Sequence, residues 1–193
     1  MNESGGSRGW WWVLLVLVLA ACGKQAEFVG TDISGAKFGD PLALADHHGN
    51  PRKLADFEGK VVALFFGYTH CPDVCPTTLD DLAKALRLLE SDREQVQVLF
   101  VTLDPERDTQ EVLAHYVPSF DASFIGLYGD VATTEQVAKN FKVYYRKEPD
   151  GKGGYTIDHS AGVYVFDKKG ALRVFINHGQ KPQDIAHDLK QLM

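Results

Sequence analysis

The stretch Thr69–Pro76, T-H-C-P-D-V-C-P, decides how the rest of the chain is interpreted. It holds two of the three cysteines of the sequence, Cys71 and Cys75, four positions apart. The apolar run Val61–Phe66 precedes it, and the segment Leu79–Leu89, with leucines at helical spacing, follows it. A continuous apolar run is typical of a strand buried on both faces, and leucines three and four positions apart mark one face of a helix. The cysteines are therefore predicted to lie where a buried strand ends and a helix begins.

This junction favours thiolates and soft metals. A helix N-terminus presents unpaired N–H groups and the positive end of its dipole, and both stabilise a thiolate. Thiolates prefer Cu(I), zinc or iron–sulfur species to hard cations. Pro72 and Pro76 stiffen the loop, because a proline ring fixes one backbone dihedral. We therefore expect the two sulfurs to form a preorganised pair of ligands.

Two thiolates leave a metal site incomplete, and histidine is the natural third ligand. Among the seven histidines, His159 stands directly before the apolar run Ala161–Phe166. The entry to that predicted strand is expected to face the cysteine loop. Asp158 is expected to hold the imidazole by a hydrogen bond from outside the ligand set. From the residues alone, an exposed or structural role for His159 stays open.

The order of predicted elements indicates one α/β domain. An N-terminal strand pair near residues 41–54 precedes the buried strand, and strands and helices then alternate to about residue 141. A loop signal at Pro149–Gly154 indicates a hairpin excursion, and a second hairpin over 161–176 precedes a helix that starts at Pro182. The predicted fold is a central mixed sheet flanked by helices, which is similar to the thioredoxin fold. Side chains expected to cap helices are Thr77 or Thr78, Asp108 or Thr109, and Thr133 or Thr134.

Composition limits the classes of partner. The chain has 193 residues, 45% of them hydrophobic, which is enough for one domain with a core. Its formal net charge is −6 at pH 7, and it contains no basic run. A nucleic-acid partner is therefore not expected.

Three motifs, in the same order along the chain, resemble the signatures of the Sco family, also called SenC or PrrC. They are Tyr68–Pro76, Asp104–Thr109, and Asp158–Ser160 followed by Tyr164 and Asp167–Gly170. The resemblance extends from about Phe28 to Leu192 and implies a thioredoxin-like fold. It also implies a role in assembling the binuclear copper centre of cytochrome c oxidase. By this resemblance Cys71, Cys75 and His159 are the copper ligands, for Cu(I), Cu(II) or both.

The second motif also has a structural interpretation. Asp104 and Pro105 can end the preceding strand, and Arg107 can pair locally with Asp108 to hold the loop. We favour this interpretation over direct contact with metal.

Other uses of the cysteine pair remain as alternatives. A structural disulfide would close only a very short loop and stabilise little. Structural zinc takes four protein ligands, and only three are predicted here. The peroxiredoxin motif, which needs proline and threonine at set positions before the cysteine, does not fit. A thiol–disulfide oxidoreductase is the serious rival, although thioredoxins separate their cysteines by two residues, whereas three separate Cys71 from Cys75 and His70 precedes them.

The N-terminus indicates a route out of the cytoplasm. Trp10–Ala21 is an apolar run of 12 residues, whereas a membrane-spanning helix needs about 20. The run is typical of a signal-peptide core, and small residues before Cys22 resemble the lipobox of bacterial lipoproteins. An uncleaved anchor or an ordinary signal with a chance cysteine are the alternatives. We expect a signal peptide over 1–21, a lipid-anchored linker over 22–40 beginning at lipidated Cys22, and a thioredoxin-like copper-binding domain over 41–193.

The function predicted from these observations is that of a membrane-tethered copper chaperone facing the periplasm or the cell exterior. In such an oxidising compartment the cysteines need a thiol reductant, and a Cys71–Cys75 disulfide would be the state that does not bind copper. The expected acceptor is the copper-bearing subunit of cytochrome c oxidase. The protein is then a metallochaperone without enzymatic turnover. The alternative is an extracytoplasmic thiol–disulfide oxidoreductase that reduces the cysteines of that copper centre.

Overall fold

A computed structural model describes residues 26–39 and 41–193. Its strands are β1 (Thr31–Asp32), β2 (Leu44–Asp46), β3 (Pro51–Arg52), β4 (Val61–Gly67), β5 (Val96–Thr102), β6 (Ile125–Tyr128), β7 (Tyr145–Pro149), β8 (Tyr155–His159), β9 (Gly162–Phe166) and β10 (Leu172–Asn177). Its α-helices are α1 (Val74–Leu88), α2 (Gln110–Tyr116), α3 (Val131–Asn140) and α4 (Pro182–Lys190). None of these helices is both long enough and apolar enough to cross a membrane.

Eight strands form one mixed sheet in the order β1-β10-β9-β4-β5-β6-β2-β3. The pairs β4–β5 and β5–β6 are parallel, and β4 pairs antiparallel with β9. Strands β7 and β8 form a separate antiparallel pair. The predicted thioredoxin-like fold, with its central mixed sheet, its N-terminal strand pair β2–β3 and its hairpin excursion, is therefore confirmed.

Strand β4 lies in the middle of the core, and all of its residues are buried. Successive residues of a strand point to opposite faces of a sheet, so β4 supplies two hydrophobic clusters. One cluster, with helices α1, α2 and α4, contains Val61, Ala63 and Phe65. The other, with helix α3, contains Val62, Leu64 and Phe66. Burial on both faces explains why this strand is a continuous apolar run in the sequence.

Helix α1 begins earlier than predicted. Its N-cap is Asp73, without a side-chain capping bond, so the prediction of a cap at Thr77 or Thr78 is wrong. Thr78 lies inside the helix, where its Oγ1 donates to the carbonyl of Val74 at 2.8 Å. Pro76 is tolerated in the first turn because the N–H groups there have no partner within the helix. The early start places Cys75 in the first turn of α1.

Of the other two predicted helix caps, the one for α2 is confirmed and the one for α3 is wrong. Thr109 caps α2, and its Oγ1 accepts a hydrogen bond from the amide of Val112 at 3.3 Å. Helix α3 is capped by Asp130 instead of Thr133 or Thr134. The carboxylate of Asp130 accepts from the amide of Thr133 at 2.7 Å. A hydroxyl inside the first turn can thus resemble a cap in the sequence.

Within the segment 22–40, predicted as a lipid-anchored linker, several of the described residues 26–39 pack on the domain. Strand β1 pairs with β10 at the edge of the main sheet, and Phe38 packs against the second core cluster. The amides of Val29 and Gly30 each donate to the carboxylate of Asp188 at 2.8 Å. A Cβ on Gly30 would lie 2.8 Å from a methyl of Val174, so this glycine serves close packing. The predicted signal peptide over 1–21 and Cys22 lie outside the described residues.

Candidate metal centre

The cysteine loop connects the carboxyl end of β4 to the first turn of α1. The amide of Cys71 donates to the carbonyl of Tyr68 at 3.3 Å, which closes a turn. Cys75 is fully buried, and Cys71 is half-buried. The amide of Cys75 donates to Sγ of Cys71 at 3.4 Å, and no disulfide joins the two cysteines. The loop thus holds one half-buried cysteine and one cysteine enclosed by the core.

Gly67, the last residue of β4, makes room for the buried sulfur. A Cβ at this position would lie 2.9 Å from Sγ of Cys75 and 2.9 Å from the ring of Phe100. Real Cβ atoms are not found this close to other heavy atoms, so any larger residue would displace the thiol or the ring.

His159 is the last residue of β8. Along this strand Tyr155, Ile157 and His159 point inward, whereas Thr156 and Asp158 are exposed, as the alternation of a strand requires. Nε2 of His159 lies 3.4 Å from Sγ of Cys75.

The imidazole of His159 is oriented by a main-chain partner. Its Nδ1 lies 3.0 Å from the carbonyl of Ser160. A carbonyl only accepts, so Nδ1 is the donor, and Nε2 is the nitrogen that faces the sulfurs and could bind a metal. The expectation that Asp158 holds the imidazole is corrected here, because Asp158 points away on the exposed face of the strand.

The structure brings the three predicted ligands together. One ligand atom each from Cys71, Cys75 and His159 lies within 4.8 Å of the others. Ligand atoms about 2.0–2.3 Å from one ion, as in zinc sites, lie within about 4.6 Å of each other, so the site is close to a binding geometry. The other histidines are outside this group; His47, for example, is buried and accepts from the amide of Gly126 at 2.9 Å.

The two cysteines have opposite proton affinities. The pKa of Cys71 is lowered to about 3, because the thiol of Cys75, the ring of His159 and the amides of Asp73 and Cys75 stabilise its thiolate. The pKa of Cys75 is raised by its hydrogen bond to Cys71, by burial, and by the charges of Cys71 and Asp108. The metal-free site therefore holds one thiolate and one thiol. A metal that binds both sulfurs must displace a proton from Cys75.

Asp108 connects the second motif to the cysteine loop. Its buried carboxylate accepts hydrogen bonds from the amide of Thr69 at 2.9 Å, from Oγ1 of Thr69 at 2.5 Å and from Oγ1 of Thr102 at 2.7 Å. Asp108 therefore does not form the predicted pair with Arg107. It fixes the residue two positions before Cys71.

Arg107 and Asp104 connect the same motif to the hairpin that carries His159. Arg107 forms an ion pair with buried Asp104, and its Nη1 donates to the carbonyl of Tyr155 at 2.9 Å. Its guanidinium lies 3.7 Å above the ring of Tyr155. The hydroxyl of Tyr155 donates to Asp104 at 2.7 Å. These contacts fit the structural interpretation of the second motif, with partners different from those predicted.

Comparison with known proteins identifies the family. The family model described as SCO1/SenC matches residues 30–193. This chain belongs to the SCO1/SenC family. Among curated relatives, the mitochondrial protein SCO2 homolog of Bos taurus is 38% identical over 155 residues, which are 79% of this chain and 58% of that relative. The chain thus spans less than two thirds of the length of that relative.

Solved structures of the Sco family are similar over most of the chain. The copper-bound ScoI of Bradyrhizobium japonicum is 39% identical, with a TM-score of 0.75 over 81% of this chain and 100% of that one. The apo Sco1 of Thermus thermophilus, solved in solution, is 39% identical, with a TM-score of 0.77 over 89% of this chain and 100% of that one. These similarities confirm the family resemblance and the fold.

Several residues around this Sco-family site were missed by reasoning from the sequence. Gly67 stands between the apolar run and the cysteine motif, and its position next to a reactive thiol could have been a signal. Ser160 acts through its backbone carbonyl, which leaves no mark on residue type. Tyr155 directly follows the predicted loop Pro149–Gly154 but contacts Arg107, 48 positions away, and a single sequence contains no signal for that contact.

Proposed function

We propose that this Sco-family protein is a copper chaperone that binds copper through Cys71, Cys75 and His159. In this proposal it delivers the metal to the binuclear copper centre of cytochrome c oxidase. The observation that carries the proposal is the convergence of two sulfurs and one imidazole nitrogen within 4.8 Å. Support comes from the 39% identity to a ScoI whose structure has copper bound.

The donor set suits copper as a cargo. Two thiolates and one imidazole are soft and borderline ligands, which favour Cu(I) over hard cations and also suit Cu(II). Structural zinc would need a fourth protein ligand, and among the described residues only these three converge. The partial exposure of Cys71 gives an incoming ligand from a partner access to the metal. Copper can then leave by ligand exchange, without unfolding of the site.

The proposal includes the cellular setting. A signal peptide over 1–21 and a lipid on Cys22 would hold the domain at a membrane, facing the periplasm or the cell exterior. The apolar run that ends in small residues before this cysteine supports the tether. A thiol reductant would keep Cys71 and Cys75 reduced there, and the acceptor would be the copper-bearing subunit of the oxidase.

A thiol–disulfide oxidoreductase is the second candidate, and the low pKa of Cys71, about 3, favours it. The Cys71 thiolate would attack the disulfide of the acceptor and release one of its sulfurs as a thiolate. Cys75 would then lose its proton and attack the mixed disulfide. The acceptor would gain two electrons and become a dithiol, while Cys71 and Cys75 become a disulfide. Because Cys75 is buried and its pKa is raised, the loss of its proton is costly in this second step, as it is when a metal binds both sulfurs.

The test of the ligand set is a titration of the reduced full-length protein with Cu(I), in detergent, without oxygen, against a Cu(I) chelator. Tight binding of one copper per chain is expected. It is weakened strongly in Cys71→Ser and Cys75→Ser, and less in His159→Ala, because two thiolates remain for soft Cu(I). His115→Ala, which removes an exposed histidine, is the matched control and should bind like the wild type. Copper binding that survives all three ligand substitutions overturns the proposal.

Two further measurements address the setting and the rival function. Cys22→Ala should abolish labelling of the protein by lipid in bacterial cells, and unchanged labelling would exclude the tether. For the rival function, the metal-free dithiol protein is mixed with an oxidised oxidase subunit, and thiols on that subunit are counted. If the subunit is reduced equally well by wild type and by His159→Ala, and His159→Ala also restores oxidase assembly in cells, the reductase is the better description.

A further inference from the structure

We infer that Arg107 is a positioning residue that keeps His159 beside the two cysteines, and that it thereby determines how well the site holds Cu(II) relative to Cu(I). This inference rests on the proposed copper-binding function. Arg107 is not itself a ligand, and its effect reaches the site through Tyr155.

The hairpin β7–β8 needs such a connection because it is not part of the main sheet. Its two strands pair only with each other, so no backbone ladder fixes their position relative to the cysteine loop. Ile157, which is buried in the first core cluster, is an apolar anchor. An apolar contact is non-directional, so it does not by itself set the distance between His159 and Cys75.

Arg107 supplies directional contacts at the far end of β8. Its Nη1 donates to the carbonyl of Tyr155 at 2.9 Å, and its guanidinium covers the ring of the same residue at 3.7 Å. The hydroxyl of Tyr155 in turn donates to Asp104 at 2.7 Å, and Asp104 pairs with Arg107. Backbone, ring and hydroxyl of Tyr155 are thus all held by two residues of one loop.

Tyr155 and His159 lie on the same inward face of β8. They are four residues apart, about 13 Å along an extended strand. A strand in a hydrogen-bonded pair transmits a shift or rotation at one end to the other. Fixing Tyr155 therefore fixes the direction from which the imidazole of His159 approaches Sγ of Cys75, which lies 3.4 Å from Nε2.

The loop that holds Tyr155 is itself fixed to the cysteine loop. Asp108, the residue after Arg107, accepts two hydrogen bonds, one from the amide and one from the hydroxyl of Thr69. The segment Asp104–Asp108 therefore contacts both halves of the candidate site at once. Its geometry sets the distance between the sulfur ligands and the nitrogen ligand.

The consequence differs between the two oxidation states of copper. Two thiolates alone satisfy soft Cu(I), whereas Cu(II) prefers nitrogen and oxygen donors in a tetragonal arrangement. Loss of a well-placed imidazole should therefore weaken Cu(II) binding much more than Cu(I) binding. A loosened hairpin should have the same effect, because it misplaces the imidazole of His159 although all three ligand residues are still present.

The decisive variant is Arg107→Lys in the full-length protein. Lysine keeps the positive charge but lacks the planar fork and the stacking surface of arginine. We expect Cu(II) affinity to fall by roughly 10–100-fold, as for other residues that orient a ligand, with little change in Cu(I) affinity. The absorption band of thiolate-bound Cu(II) should shift toward that of His159→Ala. In the metal-free protein, hydrogen exchange at the amides of Ile157 and His159 should become faster.

Tyr155→Phe is the second variant, because it removes one hydroxyl and keeps the ring under the guanidinium. It should show the same selectivity to a smaller degree, and it keeps the inference testable if Arg107→Lys does not fold. The matched control is Arg146→Lys on the same hairpin, where the arginine is exposed and pairs with Glu148. This control should leave both copper affinities and the absorption band unchanged.

Three results would overturn the inference. Wild-type affinity and spectra in both Arg107→Lys and Tyr155→Phe would show that the contact does not position His159. Equal losses of Cu(I) and Cu(II), together with a lower melting temperature, would show a general structural role. An equal effect of Arg146→Lys would show that any change in the hairpin suffices. In each case the wild type still binds copper, whereas failure of the wild type to bind would overturn the proposed function itself.

Discussion

The cysteine loop and the hairpin β7–β8 contribute to the same candidate site but are held in different ways. The loop leaves the central strand of an eight-stranded sheet and enters a helix packed on that sheet. Its second sulfur is fully buried, and Gly67 leaves no spare room around it. The hairpin is a sheet of its own. It is anchored by Ile157, by the contacts of Arg107 and Asp104 with Tyr155, and by the ion pair of Lys147 with Glu106.

The different attachment of the cysteine loop and the hairpin suggests different roles for the two regions in the proposed copper carrier: one in holding the metal and the other in releasing it. A carrier must hold its cargo and also give it up, and these demands conflict if every ligand is equally rigid. Here the cysteine loop joins the central strand to α1 and Cys75 is fully buried, while the imidazole is attached to a hairpin outside the main sheet. Elements with few buried contacts open more easily than the core. Under the proposed function, release of copper would therefore begin at His159 while both sulfurs stay in place.

The largest effect we predict tests this contrast in stability. Leu79→Ala, beneath the cysteine loop in a fully buried position of α1, should lower the free energy of unfolding by about 4 kcal/mol. Ile157→Ala on the hairpin should cost about 2 kcal/mol, because a loosely attached element can close around the missing atoms. Urea denaturation of both variants measures the difference. Equal losses would mean that the hairpin is as firmly built into the fold as α1.

Asp108→Ala should have the next largest effect. It removes the acceptor of three hydrogen bonds, from the amide and hydroxyl of Thr69 and the hydroxyl of Thr102. Buried donors without partners are costly, so the free energy of unfolding should fall by about 3 kcal/mol. Asp130→Ala, which removes the exposed cap of α3, should have a smaller effect in the same urea experiment. A smaller effect at Asp108 than at Asp130 would show that the cysteine loop does not depend on this carboxylate.

Gly67→Ala should be milder in stability but specific in its effect on the thiol. The added methyl meets Sγ of Cys75 and the ring of Phe100 at 2.9 Å each, and overpacking of this size costs about 2 kcal/mol. Gly170→Ala is the control, because a Cβ there meets nothing within 4 Å and only the positive φ of 73° is strained. That strain costs about 1 kcal/mol. Copper affinity should fall in Gly67→Ala and stay unchanged in Gly170→Ala.

The same contrast explains how much could be predicted from the sequence. The buried strand, the leucine face of α1 and the cysteines between them are local patterns, because periodicity and turn residues determine them. His159 was predicted as a ligand only with the family resemblance, since its partner Cys75 is 84 positions away in the chain. The direction of the hairpin was not predicted, because it depends on contacts between Arg107 and Tyr155, 48 positions apart.

The errors also have physical causes. The linker over 22–40 was predicted from its glycines, but Gly30 serves close packing against Val174. Asp108 was paired with its neighbour Arg107, although a buried carboxylate is satisfied equally well by hydroxyl and amide donors from other loops. Asp158 was expected to face the imidazole, but alternation along β8 turns it outward. For Gly30 and Asp108 the fold supplies the partner from a distant segment, whereas the imidazole is held by the carbonyl of Ser160, the next residue.

The smallest effect we predict concerns the pKa of Cys71. It compares how much the cysteine loop and the hairpin each lower that pKa. With a pKa of about 3, Cys71 is a thiolate throughout the neutral range. Its alkylation by iodoacetamide should therefore proceed at a nearly constant rate from about pH 5 to 8, whereas a cysteine with an ordinary pKa near 8.5 would react about tenfold faster per pH unit there.

Removing a donor to the thiolate raises the pKa of Cys71, so the rate of alkylation at low pH should fall. Because Cys75 contributes more to the lowering than His159 does, Cys75→Ala should move the profile to higher pH further than His159→Ala. Mass spectrometry of the alkylated metal-free protein measures both profiles, and a larger shift in His159→Ala would mean that the hairpin, and not the core, controls the reactive sulfur.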